Sequence, residues 1–191
     1  MNFFKKLSLL SLISLSIACG SDDDPGITEE QRQLVMGDSS SEGIVELGLT
    51  TPITVAQDQV HSNVRELDIN FDGEIDITIR AYENFGGNPK GLTLTTSNSA
   101  TRVLVDGNGD IIALNAGDIA TVLSTTWAMV DERSLAVLDG QVVSGLWNGL
   151  QNKYVAVRMD IGTSRFLAWI ELSVSNYDNY SFYNYALKQV P

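Results

Sequence analysis

Apolar and polar residues alternate along most of the chain from residue 44 onward, which is typical of strands that bury one face of a sheet. The clearest example runs from Ile75 to Tyr82, where every second residue is apolar and the residues between are polar. Further short apolar runs, separated by Gly, Asn, Asp and Ser, lie at residues 92–96, 102–106, 111–114, 120–123, 135–138 and 142–147. Short strands with frequent turn signals predict an all-β domain over residues 44–191, an antiparallel β-sandwich for which jelly-roll-like connections are one option.

The best-defined unit is a hairpin over residues 153–176. Folding at Gly162 and Thr163 pairs Met159 with Phe166, and the pairs that follow it along the strands are also mostly apolar on this face. A slip of one residue would place Arg158 in the core, so the register of this hairpin is well specified.

The opposite face of the hairpin is amphipathic and is a candidate ligand face, formed by Tyr154, Arg158, Trp169 and Glu171. Exposed aromatic rings can stack on sugars or on a protein partner. The alternative is structural, because Asp160 can pair with Arg158 and Arg165 across the two strands.

Four tyrosines near the end of the chain have two interpretations of the same kind; they are Tyr177, Tyr180, Tyr183 and Tyr185. They either offer exposed rings to a ligand or pack on the sheet. Packing of Tyr183 and Tyr185 is favoured, because aromatic residues are enriched in strands.

The N-terminus has the pattern of a secretory signal. Lys5 and Lys6 precede an apolar stretch over residues 7–18, and the small residue Ala18 stands directly before Cys19. The stretch is shorter than the ~20 apolar residues that span a bilayer. We therefore expect a signal peptide over residues 1–18 and lipidation of Cys19, which would make the membrane the first partner of the chain.

Residues 19–43 are acidic and rich in Gly and Ser, which predicts a flexible tether. One short helix is expected within it, with Thr28 and Gln31 as a capping box and Gly37 at its end. The sandwich would then begin at residue 44.

Charge and cysteine content narrow the possible partners. The chain has 12 basic and 24 acidic residues, a formal net charge of −12, and loss of Lys5 and Lys6 with a signal peptide would make it more negative. This charge disfavours nucleic acid and anionic surfaces as partners. Cys19 is the only cysteine, which excludes an intramolecular disulfide.

The segment 68–76 is the sharpest candidate for a binding site. Oxygen-bearing side chains recur at alternate positions, with Gly73 at the sixth position, and the candidate calcium ligands are Asp68, Asn70, Asp72, Glu74 and Asp76. Calcium takes six to eight such oxygens. The spacing resembles the calcium loops of EF-hand and dockerin-like modules, but Ile79 stands where an EF-hand has a bidentate Glu, and strands flank the loop. A plain hairpin around Asp72 and Gly73 is the alternative.

The similar segment 106–110 lacks Gly at its sixth position, so a hairpin loop is expected there.

Catalytic residues are poorly represented. His61 is the only histidine, and the sequence contains no Gly-x-Ser-x-Gly motif. Catalysis by a pair of carboxylates remains an open alternative, with Glu171 and Asp160 as the candidate residues.

Several segments resemble known groups. The segment 16–19 resembles a bacterial lipobox, with Ser16 where Leu is usual, and the acidic segment 21–25 resembles the surface-export signal of Bacteroidota lipoproteins. These resemblances imply an outer-membrane lipoprotein that faces the cell exterior.

The order of motifs over residues 64–187 is similar to a diffuse group of secreted bacterial β-proteins of unknown function, some with PEP-CTERM tails. The motifs that carry the resemblance are the Asp-rich loop, 113–119, 145–149, 154–158, 167–174 and 185–186. The resemblance implies secretion, a β-sandwich and a calcium loop, and it brings no activity.

Two functions are therefore expected. The first is a non-catalytic surface module, binding or structural, whose partner is a glycan or an outer-membrane protein. The alternative is a glycoside hydrolase or lyase that acts on polysaccharides with paired carboxylates on the sheet.

Overall fold

The computed structural model describes residues 27–56, 63–83 and 90–191. In these ranges the chain forms one short 3₁₀ helix, Glu29–Arg32, and thirteen strands: β1 Gln33–Val35, β2 Ile44–Ala56, β3 Asn63–Leu67, β4 Ile77–Glu83, β5 Lys90–Thr96, β6 Thr101–Leu104, β7 Ile119–Thr121, β8 Trp127–Ala128, β9 Arg133–Asp139, β10 Val142–Ser144, β11 Lys153–Ile161, β12 Ser164–Asn176 and β13 Asn179–Val190. The expected signal peptide, Cys19 and His61 lie outside the described residues. Within the described ranges, no helix has the length and apolar character needed to cross a membrane.

Two antiparallel sheets form the body of the protein. One has six strands in the order β2-β13-β12-β11-β6-β8, and the other has five in the order β10-β9-β5-β4-β3. The meanders β3-β4-β5 and β11-β12-β13 keep successive strands within one sheet. The predicted all-β, antiparallel sandwich is therefore confirmed.

The main core lies between the two sheets. Ile79 and Leu94 reach it from the five-stranded sheet, and Val157 and Ile170 reach it from the six-stranded sheet, all fully buried. Their alternation with polar residues is the period-two pattern of the sequence, because successive side chains in a strand point to opposite faces.

The hairpin β11-β12 has the predicted register. Ile161 pairs with Ser164, Met159 with Phe166 and, four pairs further along, Val155 with Ile170. Gly162 takes a φ of +59° in the turn, a conformation that suits glycine.

A second, smaller core covers the outer face of the six-stranded sheet. The two-stranded sheet β1-β7 lies over this face, with Leu34 and Met36 both 1% exposed. Residues 29–36 therefore belong to the folded domain, and the expected boundary at residue 44 moves toward the N-terminus.

The capping box predicted for the short helix forms, since Thr28 N donates to Gln31 Oε1 at 2.9 Å. The helix ends at Arg32 rather than Gly37, because the chain continues into β1.

Two expected strands are shorter than their apolar runs. Residues 111–114 make only isolated bridges, one from Ile111 and one from Leu114. The run 142–147 stops being a strand at Ser144, and Trp147 turns into the core, where its Nε1 donates to Ile111 O at 2.9 Å.

Candidate functional site

The loop between β3 and β4 holds the five predicted metal ligands, and its first three side chains are turned onto its own backbone. Asp68 Oδ2 accepts from Gly73 N at 2.8 Å, Asn70 Oδ1 accepts from Asp72 N at 3.0 Å, and Asp72 Oδ1 accepts from Glu74 N at 2.8 Å. Gly73 has a φ of +92°, which glycine adopts without strain. The spacing of oxygens and glycine thus produces a tight, internally hydrogen-bonded turn.

Asp76 has a different role from the other four residues. It is 1% exposed, its Oδ2 accepts from Ile69 N at 2.9 Å, and its Oδ1 accepts from Asn98 Nδ2 at 2.9 Å and Thr101 Oγ1 at 3.1 Å. Asp76 therefore anchors the loop to the segment that leads into β6.

The exposed part of the loop keeps unused acceptor capacity. Within the described residues, no group of three or more His, Cys, Asp or Glu side chains is arranged to hold a metal ion. Each carboxylate oxygen has two lone pairs, so an oxygen that accepts one backbone N–H can still bind a cation. Asp68, Asn70, Asp72 and Glu74 are the residues of this loop that could hold a cation.

Phe71 shows how this loop meets the sheet. It is 57% exposed, has a φ of +62°, and stacks on Tyr185 with ring centroids 6.3 Å apart. Tyr185 Oη in turn donates to Asp68 O at 3.4 Å. The ring of Tyr185 therefore supports the loop from β13, as the packing interpretation of this tyrosine expects.

The remaining tyrosines of the cluster are mostly structural as well. Tyr180 is fully buried in the main core beside Phe182, and Tyr183 falls in an irregularity of β13, where the register shifts against β2. The shift moves Tyr183 out of the alternation that the sequence suggests.

The second loop, 106–110, is the predicted hairpin turn. Asp106 Oδ1 accepts from Asn108 N at 2.8 Å and from Asp110 N at 2.9 Å. These bonds lower the pKa of Asp106 below its ordinary value. Asp110 pairs with Arg133 at 3.0 Å, so both carboxylates stabilise the turn.

The small β1-β7 sheet covers part of the proposed ligand face, including its two aromatic residues. The prediction that these rings bind a ligand is therefore wrong. Tyr154 and Trp169 are 7% and 1% exposed and pack edge to face at 5.4 Å. Leu34 and Met36 belong to the same buried cluster and help to cover them. Neither ring is available for stacking on a glycan. Trp169 Nε1 has no hydrogen-bond partner within the described part of the chain.

Glu171 lies on the same face and is partly exposed. Burial raises the pKa of Glu171 above its ordinary value, and the nearby charge of Glu46 on β2 raises it further. Asn184 Nδ2 donates to Glu46 Oε1 at 2.7 Å and lies opposite Glu171 in the sheet. The carboxylate that accompanies Glu171 is thus Glu46, a residue that the sequence analysis did not single out, and not Asp160.

Asp160 instead accepts from three arginines. Its shortest contacts are 2.7 Å from Arg158 Nη2 and 2.8 Å from Arg165 Nε, and Arg102 Nη1 lies 3.4 Å from Oδ2. Burial works to raise the pKa of Asp160, but the hydrogen bonds from Arg158 and Arg165 outweigh it and hold the pKa below its ordinary value. The predicted pairing of Asp160 with Arg158 and Arg165 is confirmed, and Arg102 is an unforeseen third partner.

A surface groove of about 710 Å³ lies where the N-terminal segment meets the C-terminal end of β13. Lys188 crosses it, donating from Nζ to Glu30 O and Gln33 O at 3.2 Å each. These bonds tie the 3₁₀ helix to the six-stranded sheet.

Comparison of the chain with models of protein families, with curated proteins and with solved structures found no match. Function is therefore inferred from the residues of the chain itself.

Proposed function

We propose that the protein is an exported, lipid-anchored module of the outer membrane that faces the cell exterior and acts by binding or as a structural element rather than by catalysis. The observation that supports this most directly is the use of the carboxylates. Asp160 is held by three arginines and Asp76 is buried among hydrogen-bond donors, so both serve to join strands. A glycan or a neighbouring outer-membrane protein is the proposed partner.

The short distance from the proposed anchor to the fold agrees with a surface role. Nine residues lie between Cys19 and Glu29, where the 3₁₀ helix begins, so ten Cα–Cα steps join the two. A chain of that length reaches at most ~35 Å, at about 3.5 Å per residue. The domain would therefore stay close to the membrane that holds the lipid.

Anchoring and orientation are tested together in whole cells. The natural chain should incorporate labelled fatty acid and be degraded by protease added outside the cells. Cys19→Ser should lose the label and leave the membrane fraction. Labelled protein that resists external protease in intact cells, but not in lysed cells, would contradict the outward orientation.

Binding is tested with a glycan array and with chemical crosslinking in isolated outer membranes. A reproducible glycan hit, or a single crosslinked partner, is expected. The absence of both a glycan hit and a crosslinked partner would overturn the binding role.

We further propose that the turn formed by Asp68, Asn70, Asp72 and Glu74 binds calcium, with Asp76 fixing the base of the loop. The support is the exposed set of oxygens on a tight turn with glycine at its sixth position.

Calcium should raise the midpoint of thermal unfolding in proportion to its occupancy, and a chelator should reverse the shift. Asp72→Ala should abolish the response. Asp110→Ala, in the other acidic turn, is the matched control and should retain it. Identical curves with calcium and chelator would leave the segment as an acidic hairpin.

A polysaccharide-acting hydrolase or lyase is the second candidate, and the pair of Glu171 with Glu46 favours it. A carboxyl group whose pKa is raised by burial and by a second carboxylate nearby is the arrangement of a general acid with its partner. Release of reducing sugar from polysaccharides should then disappear in Glu171→Gln and Glu46→Gln but persist in Glu66→Gln. Absence of turnover by the natural chain would exclude this candidate.

A further inference from the structure

The guanidinium groups of Arg102, Arg158 and Arg165 converge on one carboxylate, that of Asp160. Among the described residues, no other acidic side chain forms an ion pair with these three arginines. The cluster therefore carries an excess of about two positive charges. This is unusual in a chain with a formal net charge of −12.

The position of the arginines in the sheet costs stability. Arg158 on β11 lies directly opposite Arg102 on β6, and like charges in that relation repel. Asp160 offsets part of the repulsion, because it lies opposite Arg165 on β12 and touches all three guanidinium groups. Proteins keep such destabilising arrangements mainly at functional sites, so the facing arginines favour a binding role for this cluster.

The cluster also keeps free hydrogen-bonding capacity. Arg165 uses Nε for Asp160, and Arg102 uses only Nη1, for Asp160 and for Ala100 O. Each guanidinium has five N–H donors in a planar fork. Arg165 and Arg102 are 42% and 33% exposed, so their remaining donors are open to solvent, whereas Arg158 is 19% exposed and fixed against Val122 O.

We propose that Arg102, Arg158 and Arg165 form a binding site for a doubly charged oxyanion, with a phosphate group as the ligand. Arginine forks bind phosphate oxygens in bidentate fashion, and a phosphate monoester carries close to two negative charges at neutral pH. That charge matches the excess at the cluster. The acidic residues elsewhere on the protein are largely screened beyond ~10 Å at 0.1 M salt, so the local charge governs binding. The inference does not depend on the proposed lipid anchor or on calcium.

The test is calorimetric titration of the full chain, purified in neutral detergent, with inorganic phosphate at pH 7.5 and constant ionic strength. One saturable site is expected. Arg165→Gln and Arg102→Gln should each weaken binding by about tenfold or more, because a charge-assisted contact is lost. Arg165→Lys keeps the charge without the fork and should give an intermediate affinity.

Arg80→Gln is the matched control, because Arg80 also lies on a strand and forms an ion pair with an acid, Glu132, at 2.9 Å. It should bind phosphate as the natural chain does. Circular dichroism of each variant verifies the fold, and Arg102→Gln, which breaks the longest of the three contacts, is the variant least expected to disturb it. Absence of saturable binding, or an equal loss in Arg80→Gln, would overturn the proposal.

A phosphate can reach the site from a soluble compound or from a lipid headgroup, and two further arms distinguish these sources. Glucose 6-phosphate represents the soluble source, and detergent micelles that contain phosphatidic acid represent the lipid source, with phosphatidylcholine micelles as the blank. Binding in either arm that Arg165→Gln weakens supports the site and identifies its source. Binding in neither arm would overturn it.

Discussion

Asp76 Oδ1 accepts a hydrogen bond from Thr101 Oγ1 at 3.1 Å, and this contact joins the start of β4 in the five-stranded sheet to the start of β6 in the six-stranded sheet. Asn98 completes the junction, because it donates to Asp76 Oδ1 and accepts from Thr101 N at 3.0 Å. One buried carboxylate thus holds the candidate calcium loop and the two layers together.

Loss of this carboxylate should be costly. Asp76→Ala removes the acceptor of Ile69 N and one of the two acceptors of Asn98 Nδ2 and of Thr101 Oγ1. The loss of three hydrogen bonds to a buried carboxylate predicts a decrease of about 3 kcal/mol in the free energy of unfolding. Urea denaturation in the presence of a chelator measures it without any contribution from calcium. Asp72→Ala, in the exposed part of the same loop, should cost less than about 1 kcal/mol under these conditions. Equal losses in the two variants would contradict the anchoring role of Asp76.

The N-terminal strand should contribute to stability. Leu34→Ala removes a side chain packed in the smaller core with Trp169, which predicts a loss of about 2 to 5 kcal/mol. Tryptophan fluorescence during urea denaturation follows the transition. Val142→Ala, at a side chain 67% exposed, is the comparison and should change stability by less than about 0.5 kcal/mol. If Leu34→Ala unfolded with the natural midpoint, β1 would not be part of the cooperative unit.

Gly145 should tolerate no larger residue. Its φ is +109°, and a Cβ at this position would lie well inside van der Waals contact with Leu135 O. Gly145→Ala therefore forces the backbone of β9 to move, with an expected loss of about 2 to 4 kcal/mol. Gly107→Ala, where a Cβ would meet nothing within 4 Å, should be close to neutral in the same thermal unfolding measurement. Comparable midpoints for the two variants would disagree with this close approach.

Asp160 should make stability depend on acid pH. Because its pKa is lower in the folded protein, its contribution is present above the ordinary aspartate pKa of ~3.9 and is lost as the pH falls through the folded value. Asp160→Asn should therefore be less stable than the natural chain at pH 7, and the difference should shrink toward pH 3. Denaturation curves at pH 7, 5 and 3 measure it. A difference that stays constant over this range would mean that the side chain acts by packing alone.

Local patterns predicted the parts of the fold that depend on neighbouring residues. The β11-β12 register follows from alternation and from the turn at Gly162, both of which lie within 24 residues of sequence. The turn at 106–110 followed from its glycines and Asp106 in the same way. The turn at 68–73 agrees with both interpretations of the acidic loop, because an oxygen that accepts a backbone N–H can still bind a cation.

Long-range contacts decided what the sequence left open. Tyr154 and Trp169 have the pattern of an amphipathic face, but β1 covers them, and a strand of three residues is too short to show a period of its own. Glu46 is separated from Asn184 by 138 residues, so its place beside Glu171 had no local signal. The contact of Arg102 with Asp160 also had no local signal, apart from the place of Arg102 in a strand whose alternate residues are apolar.

The place of β13 in the six-stranded sheet has a consequence for the order of events in the cell. This strand pairs with β2 on one side and β12 on the other, and Leu47 meets Tyr185 only across almost the whole length of the domain. Since a chain is made from its N-terminus, β2 is without its neighbour until the residues near 190 have emerged. Such non-local closure is slow to form. The six-stranded sheet therefore cannot close until residues 179–190 have been synthesised, and until then β2 has the unpaired edge of a strand without a neighbour.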